Sequence, residues 1–190
     1  MKVFFAASPK GLTEFREEYN KIYKTIEELG HKNVTDIAIS VEPEDHYKIS
    51  QDKLRKHYKK VIDSIKKADV VIIEGSISSL AVGYVVDRAI ESSKPVVILH
   101  TSGREPFFLT AINNDKVQVI EYTATNAKKQ LATSINYAQE QMDTRFNFFI
   151  SSKIGNYLDW IAKKRKVPRA VYLRKLIQED MKRDVEYRNG

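Results

Sequence analysis

The sequence predicts an α/β domain with a doubly wound parallel sheet of about five strands, followed by a small module of one strand and two helices. Three observations point to it. Two short apolar runs, Val70-Val71-Ile72-Ile73 and Val96-Val97-Ile98-Leu99, flank a Gly/Ser-rich turn and an amphipathic stretch, the pattern of one βαβ unit. Strand-like and helix-like segments alternate from Lys2 to Gln141. After Asp143 the composition changes: Thr144 to Gly190 holds 12 Lys+Arg against 5 Asp+Glu, net +7, which equals the net charge of the whole chain. Residues 1–143 therefore sum to zero and form one domain, and residues 144–190 form a second.

Lys2 to Ala7 reads as a buried first strand running into Ser8-Pro9-Lys10-Gly11. A helix from Thr13 to Leu29 carries Phe15, Tyr19, Ile22, Ile26 and Leu29 on one face, and Gly30 stops it. Val34 to Val41 alternates as a second strand would, and Glu42-Pro43-Glu44-Asp45 is an acidic loop. A helix follows from about Ile49 to Lys67, with Leu54, Tyr58, Val61, Ile62 and Ile65 inward. The third strand is a β-branched run too short for a buried helix, so it fits a strand covered on both faces. Its helix ends before Pro95, which opens the fourth strand. The crossover is helical, so the two strands are parallel. Val117 to Tyr122 makes a fifth strand and Asn126 to about Gln141 a last helix. In open parallel sheets, ligands sit at the carboxyl ends of the strands, where helix amino ends offer free N–H groups. Here that place is Glu74-Gly75-Ser76-Ile77-Ser78-Ser79.

In the second domain Arg145 to Ser151 reads as a strand with Phe146, Phe148 and Ile150 on one face. A helix from Ser152 carries Ile154, Tyr157, Leu158 and Ile161 and ends in the basic run Lys163–Lys166. Pro168 opens a second helix at its favoured first position, with Leu173, Leu176, Ile177 and Met181 inside. So short a module closes no core alone and is expected to dimerise, with Trp160 at the interface.

Hydrophobic content of 42% and charged content of 30% exclude a disordered chain. The absence of cysteine excludes disulfides and thiolate metal sites. His31, His46, His57 and His100 lack ligand spacing, so neither metal nor cofactor is expected. The apolar start Val3 to Ala7 is too short for a signal peptide and no stretch could span a bilayer, so the expected location is the cytoplasm, away from membranes.

The first domain resembles the nucleoside 2-deoxyribosyltransferase superfamily, and more closely its branch of 2′-deoxynucleoside 5′-monophosphate N-glycosidases. The resemblance is carried by Phe4-Phe5-Ala6-Ala7-Ser8, Ala68-Asp69-Val70-Val71, Ser79-Leu80-Ala81-Val82-Gly83-Tyr84, Arg88-Ala89, Lys94-Pro95-Val96 and Ser102-Gly103-Arg104. It implies a nucleotide-like ligand held by hydroxyls and backbone N–H groups at Ser8, Lys10, Gly11, Gly75, Ser79, Ala81 and Gly83, with Thr110 lent by a neighbouring subunit. It also implies cleavage of an N-glycosidic bond by a carboxylate nucleophile, but there this chain departs from the pattern. The position after Gly-Tyr, where the family has its nucleophilic glutamate, is Val85. The position eight residues before the Asp of Ala-Asp-Val-Val, where it has an aspartate, is Val61. A first-strand tyrosine appears as Phe4. Asp63 and Asp87 each lie two residues past a vacant position, about 200° around a helix. Glu74 and Glu105 remain as candidate acids outside the family motif.

The second domain resembles the ribbon-helix-helix repressors, with Arg145 to Ser151 as the ribbon. The resemblance implies DNA contacts from outward ribbon residues and the second helix's amino end, here Arg145, Asn147 and Arg169. Phe149 at an outward position points instead to a ribbon covered by protein. The expectation is a catalytically impaired, nucleotide-binding homodimer or higher oligomer joined by its tail. The alternatives are a ligand-responsive regulator that binds DNA and an active N-glycosidase with relocated acids.

Overall fold

A computed structural model describes residues 1–40, 50–142, 148–185 and 187. The chain divides into two compact units, Met1–Asp143 and Thr144–Gly190. In the first, β1 (Lys2–Ala7), β2 (Lys32–Asn33), β3 (Val70–Glu74), β4 (Val96–His100) and β5 (Val117–Glu121) form one sheet in the order β2-β1-β3-β4-β5. Every neighbouring pair is parallel. The flanking helices are α1 (Arg16–Glu28), α2 (Ile37–Ser40), α3 (Gln51–Lys67), α4 (Leu80–Glu91), α5 (Phe107–Thr110) and α6 (Ala127–Glu140).

The pleat assigns the two faces. Val3, Phe5, Val70, Ile72, Val97 and Leu99 pack against Tyr19, Ile22 and Ile26 of α1 and Leu131, Ile135 and Ala138 of α6. The alternate residues Phe4, Ala6, Val71, Ile73, Val96 and Ile98 pack against Ile65 of α3 and Val82, Val85, Val86 and Ala89 of α4. With both faces covered, β3 and β4 are buried throughout, which is why they read as continuous apolar runs.

Two expectations from the sequence are corrected. The second strand is Lys32–Asn33 rather than Val34–Val41, because its ladder to β1 spans only Lys2 and Val3. Beyond it the Thr35 hydroxyl accepts the Ile37 N–H (3.3 Å) and a helical turn replaces the alternation through Ser40. Val41 and the acidic loop fall outside the described residues. The first helix also begins later than expected: Pro9–Thr13 is a 3₁₀ helix and α1 starts at Arg16. It ends as expected at Gly30, in left-handed backbone (φ 80°).

In the second unit α7 (Ser152–Arg165) is capped by Ser151, whose Oγ accepts the Ile154 N–H (3.4 Å). It ends at Lys166 in left-handed backbone (φ 55°). α8 (Arg169–Arg183) follows, with Pro168 as its cap rather than its first turn. Leu158, Ile161 and Tyr172 make a small buried cluster with Val167 and Leu173. Of the expected ribbon, Arg145, Phe146 and Asn147 lie outside the described residues, and Phe148–Ile150 carry no strand.

Candidate functional site at the carboxyl edge of the sheet

The strand order fixes where a ligand can enter. From β1 the chain passes over α1 to β2 on one side, and from β3 it passes over α4 to β4 on the other, so the carboxyl ends of β1 and β3 flank a topological switch point. The two loops singled out from the sequence leave the sheet there side by side, since Ala7 pairs with Glu74 in the parallel register.

From β1 comes Ser8, fully buried, its carbonyl accepting the Gly11 N–H (2.9 Å) and the Tyr19 hydroxyl (3.3 Å). Its Oγ has no hydrogen-bond partner. Lys10 is exposed, and Gly11 is buried against Tyr19 and Ile77 with no room for a Cβ. From β3 comes Gly75, whose N–H donates to Leu99 O (2.8 Å), and then Ser79 in extended backbone as the cap of α4. The Ser79 side chain makes no capping hydrogen bond, leaving its hydroxyl available beside the free N–H groups of the first turn, which includes Ala81. Gly83 donates its N–H to Ser79 O (3.1 Å), so it belongs to the helix rather than to an open cradle. Thr110 is exposed, with its hydroxyl bonded to Phe107 O (2.8 Å). Arg104 is tied to Glu14 and stacked over Phe15 at 5.0 Å, holding the loop after β4 to the start of α1.

The positions where the resembled family carries its reacting groups tell a different story. Phe4 and Val85 are buried and Val61 half-buried, and all three belong to the single apolar cluster between the sheet and helices α3 and α4. Asp87 is exposed and paired with Arg88 (3.1 Å), and Glu105 is exposed.

Glu74 is a candidate acid outside the family motif, and the structure brings it forward. It ends β3 fully buried, and its Oε1 accepts the Ser76 hydroxyl (2.5 Å), the Tyr122 hydroxyl (3.3 Å) and the Ser76 N–H (3.4 Å). Its Oε2 has no partner. Burial pushes its carboxyl above the ordinary glutamate range, against the opposing hydrogen bonds from Ser76 and Tyr122 and with help from Glu18. Burial and the charge of Glu74 likewise push both Tyr19 and Tyr122 upward, so these hydroxyls stay protonated donors. Ser76 extends the network: its Oγ accepts the Thr101 N–H (2.9 Å), joining the loops after β3 and β4. By strand parity Glu74 faces the α1/α6 side, opposite the cluster holding Val61 and Val85. When protonated, a carboxyl there can donate as well as accept hydrogen bonds.

In the second unit Arg169 pairs with Asp159, while Lys164 and Arg165 stack over Trp160 (4.6 Å) and Tyr172 (5.2 Å). The other two candidate DNA contacts, Arg145 and Asn147, lie outside the described residues. Among the described residues no helix is long and apolar enough to cross a membrane, and no cluster of three or more histidines and carboxylates could hold a metal.

No family model matches the chain. It is similar to the protein of Syntrophotalea carbinolica named "Putative 2'-deoxynucleoside 5'-phosphate N-hydrolase 1", at 27% identity over 123 residues, covering 64% of this chain and 84% of that protein. Among solved structures it is similar to the CMP N-glycosidase of Clostridium botulinum at 19% identity and a TM-score of 0.44, over 72% of this chain and 98% of that one, a likeness too loose to bear on function. The first unit is thus a five-stranded, all-parallel α/β fold in a chain whose sequence is similar to that named N-hydrolase.

Proposed function

We propose that the first unit binds a phosphorylated nucleoside in the crevice between the carboxyl ends of β1 and β3, and is impaired in cleaving it. The ligand class follows from the named N-hydrolase to which the chain is similar and from the free hydroxyls of Ser8 and Ser79 beside a helix amino end. The observation that carries the impairment is that Phe4, Val61 and Val85 pack together in one apolar cluster. A glycosidase without its carboxylate pair loses nucleophilic attack and oxocarbenium stabilisation, worth several kcal/mol of barrier and orders of magnitude in rate. The test combines thermal shift with deoxynucleoside monophosphates and chromatography for free base. Stabilisation without base release is expected, and no stabilisation by any nucleotide refutes the reading.

A second reading is favoured by Glu74, whose buried carboxyl at the switch point, pushed above its ordinary range by burial, is the kind of group an active site uses. In it the protein is an N-glycosidase whose acid has moved across the sheet. Base release that Glu74→Gln abolishes would support it. Copies of the chain associate through the second unit, whose exposed Ile154, Tyr157, Trp160, Leu176, Ile177 and Met181 are too many apolar side chains for a free surface. DNA binding has less support, because Arg169 is already neutralised by Asp159.

A further inference from the structure

We propose a second anion site on the first unit, apart from the crevice: the groove along α3 binds linked phosphate groups, as in a free oligophosphate or the tail of a nucleoside triphosphate. Helix α3 carries seven Lys+Arg and two Asp+Glu in 17 residues, net +5, inside a domain whose sequence sums to zero. Lys66 and Lys67 suit the last turn, where the helix dipole favours cations. Lys56, Lys59 and Lys60 lie in mid-helix, where the dipole offers them nothing.

These lysines recur at helical spacing with Asp63 and Lys67, so they share one side of the helix. With Val34 and Ser64 they line a concavity of about 360 Å³ in which Asp63 is the single carboxylate among the described residues. Lys60 pairs with Asp36 (3.5 Å), whereas Lys56, Lys59 and Lys67 form no ion pair among the described residues. Lys56 and Lys60 stand four apart, a like-charge arrangement that disfavours the helix until an anion neutralises it. The Ser64 hydroxyl is committed to Lys60 O (2.7 Å), so the groove presents ammonium groups. Each is a compact charge with three rotatable donors, which suits a flexible phosphate chain better than a planar carboxylate. Lys56 to Lys60 spans about 6 Å along the helix, the reach of a few linked phosphates. Among the described residues no aromatic ring lines the groove, and Tyr58 turns away to meet the Tyr84 hydroxyl (2.8 Å). Without a stacking platform, single-stranded nucleic acid is not the ligand it fits.

The experiment is calorimetric titration of the full chain with inorganic tripolyphosphate and with ATP, at about 0.05 M and about 0.5 M salt. The groove is disabled in a Lys56→Gln, Lys59→Gln, Lys60→Gln triple variant. A Lys24→Gln, Arg55→Gln, Lys66→Gln triple removes the same charge elsewhere. Tripolyphosphate is expected to bind, more weakly at high salt, and to lose roughly tenfold or more in affinity in the groove triple but no more than about twofold in the control. ATP with equal affinity identifies the phosphates alone as the ligand; tighter ATP binding, lost in the groove triple, identifies a nucleotide tail. The proposal is overturned if neither ligand binds, or if both triples weaken binding equally. It is also overturned if binding survives the groove triple and vanishes in Ser79→Ala, or if a single-stranded oligonucleotide outcompetes tripolyphosphate at the same lysines.

Discussion

Replacing Glu74 by Gln is expected to make the first unit more stable than the wild type, by a margin that grows with pH. Glu74 is buried with one oxygen unpartnered, and its carboxyl titrates above the ordinary value of 4.5. An unfolded chain ionises this group near that ordinary value, so between the unfolded and folded values the native state holds a proton that the unfolded state has lost. Stability then falls as pH rises through that window, at up to about 1.4 kcal/mol per pH unit, and levels off above the folded value. Glutamine keeps an acceptor for Ser76 and Tyr122 and has nothing to ionise. The variant should therefore match the wild type within about 1 kcal/mol at pH 4.5 and exceed it by a margin that grows as pH rises above that value and then levels off. Trp160, the one tryptophan, sits in the second unit, so its fluorescence does not report this change. Amide exchange at Val71, Ile72 and Ile73 in the central strand does. A difference between variant and wild type that stays flat with pH, or shrinks as pH rises, would refute the upward shift assigned to the buried carboxyl.

Further outcomes follow from the same packing. Val85→Glu places a carboxylate in an apolar cluster with no partner and is expected to cost about 3 kcal/mol or more by chemical denaturation, without restoring base release. Gly11→Ala drives a Cβ into the Tyr19 hydroxyl and should cost roughly 1–3 kcal/mol, part of which Tyr19→Phe recovers in the double variant. Leu158→Ala opens the small core of the second unit; Trp160 fluorescence in denaturant should report a loss of about 2–5 kcal/mol in stability, while exchange in β3 is unchanged.

The central sheet was legible because β3 and β4 are covered on both faces, which leaves continuous β-branched runs bounded by Asp69 and Gly75 and opened by Pro95. The segment after β2 was misleading for a physical reason. Val34 to Val41 alternates, but Thr35 and Asp36 are also helix-start residues, and the side-chain bond to the Ile37 N–H decides for the turn. At the site, Ser8 and Ser79 could be placed because they end strand and turn signals at the switch point. Glu74 could be named as a strand-end acid, but its importance depends on Tyr122, 48 residues away, and on burial beneath α1. Local spacing carries no trace of either. That Val61, Val85 and Phe4 form one cluster was likewise invisible, since three helix and strand positions meet there only in the folded sheet.

The central claim is a nucleotide-binding fold whose family carboxylate positions have become core. The most direct measurement is prolonged incubation of the full chain with each 2′-deoxynucleoside 5′-monophosphate, followed by chromatographic quantification of free base beside a thermal shift on the same samples. The account predicts stabilisation by at least one nucleotide with base release no faster than in its absence. Release of many equivalents of base per chain would contradict it, and loss of that release in Glu74→Gln would identify the acid responsible.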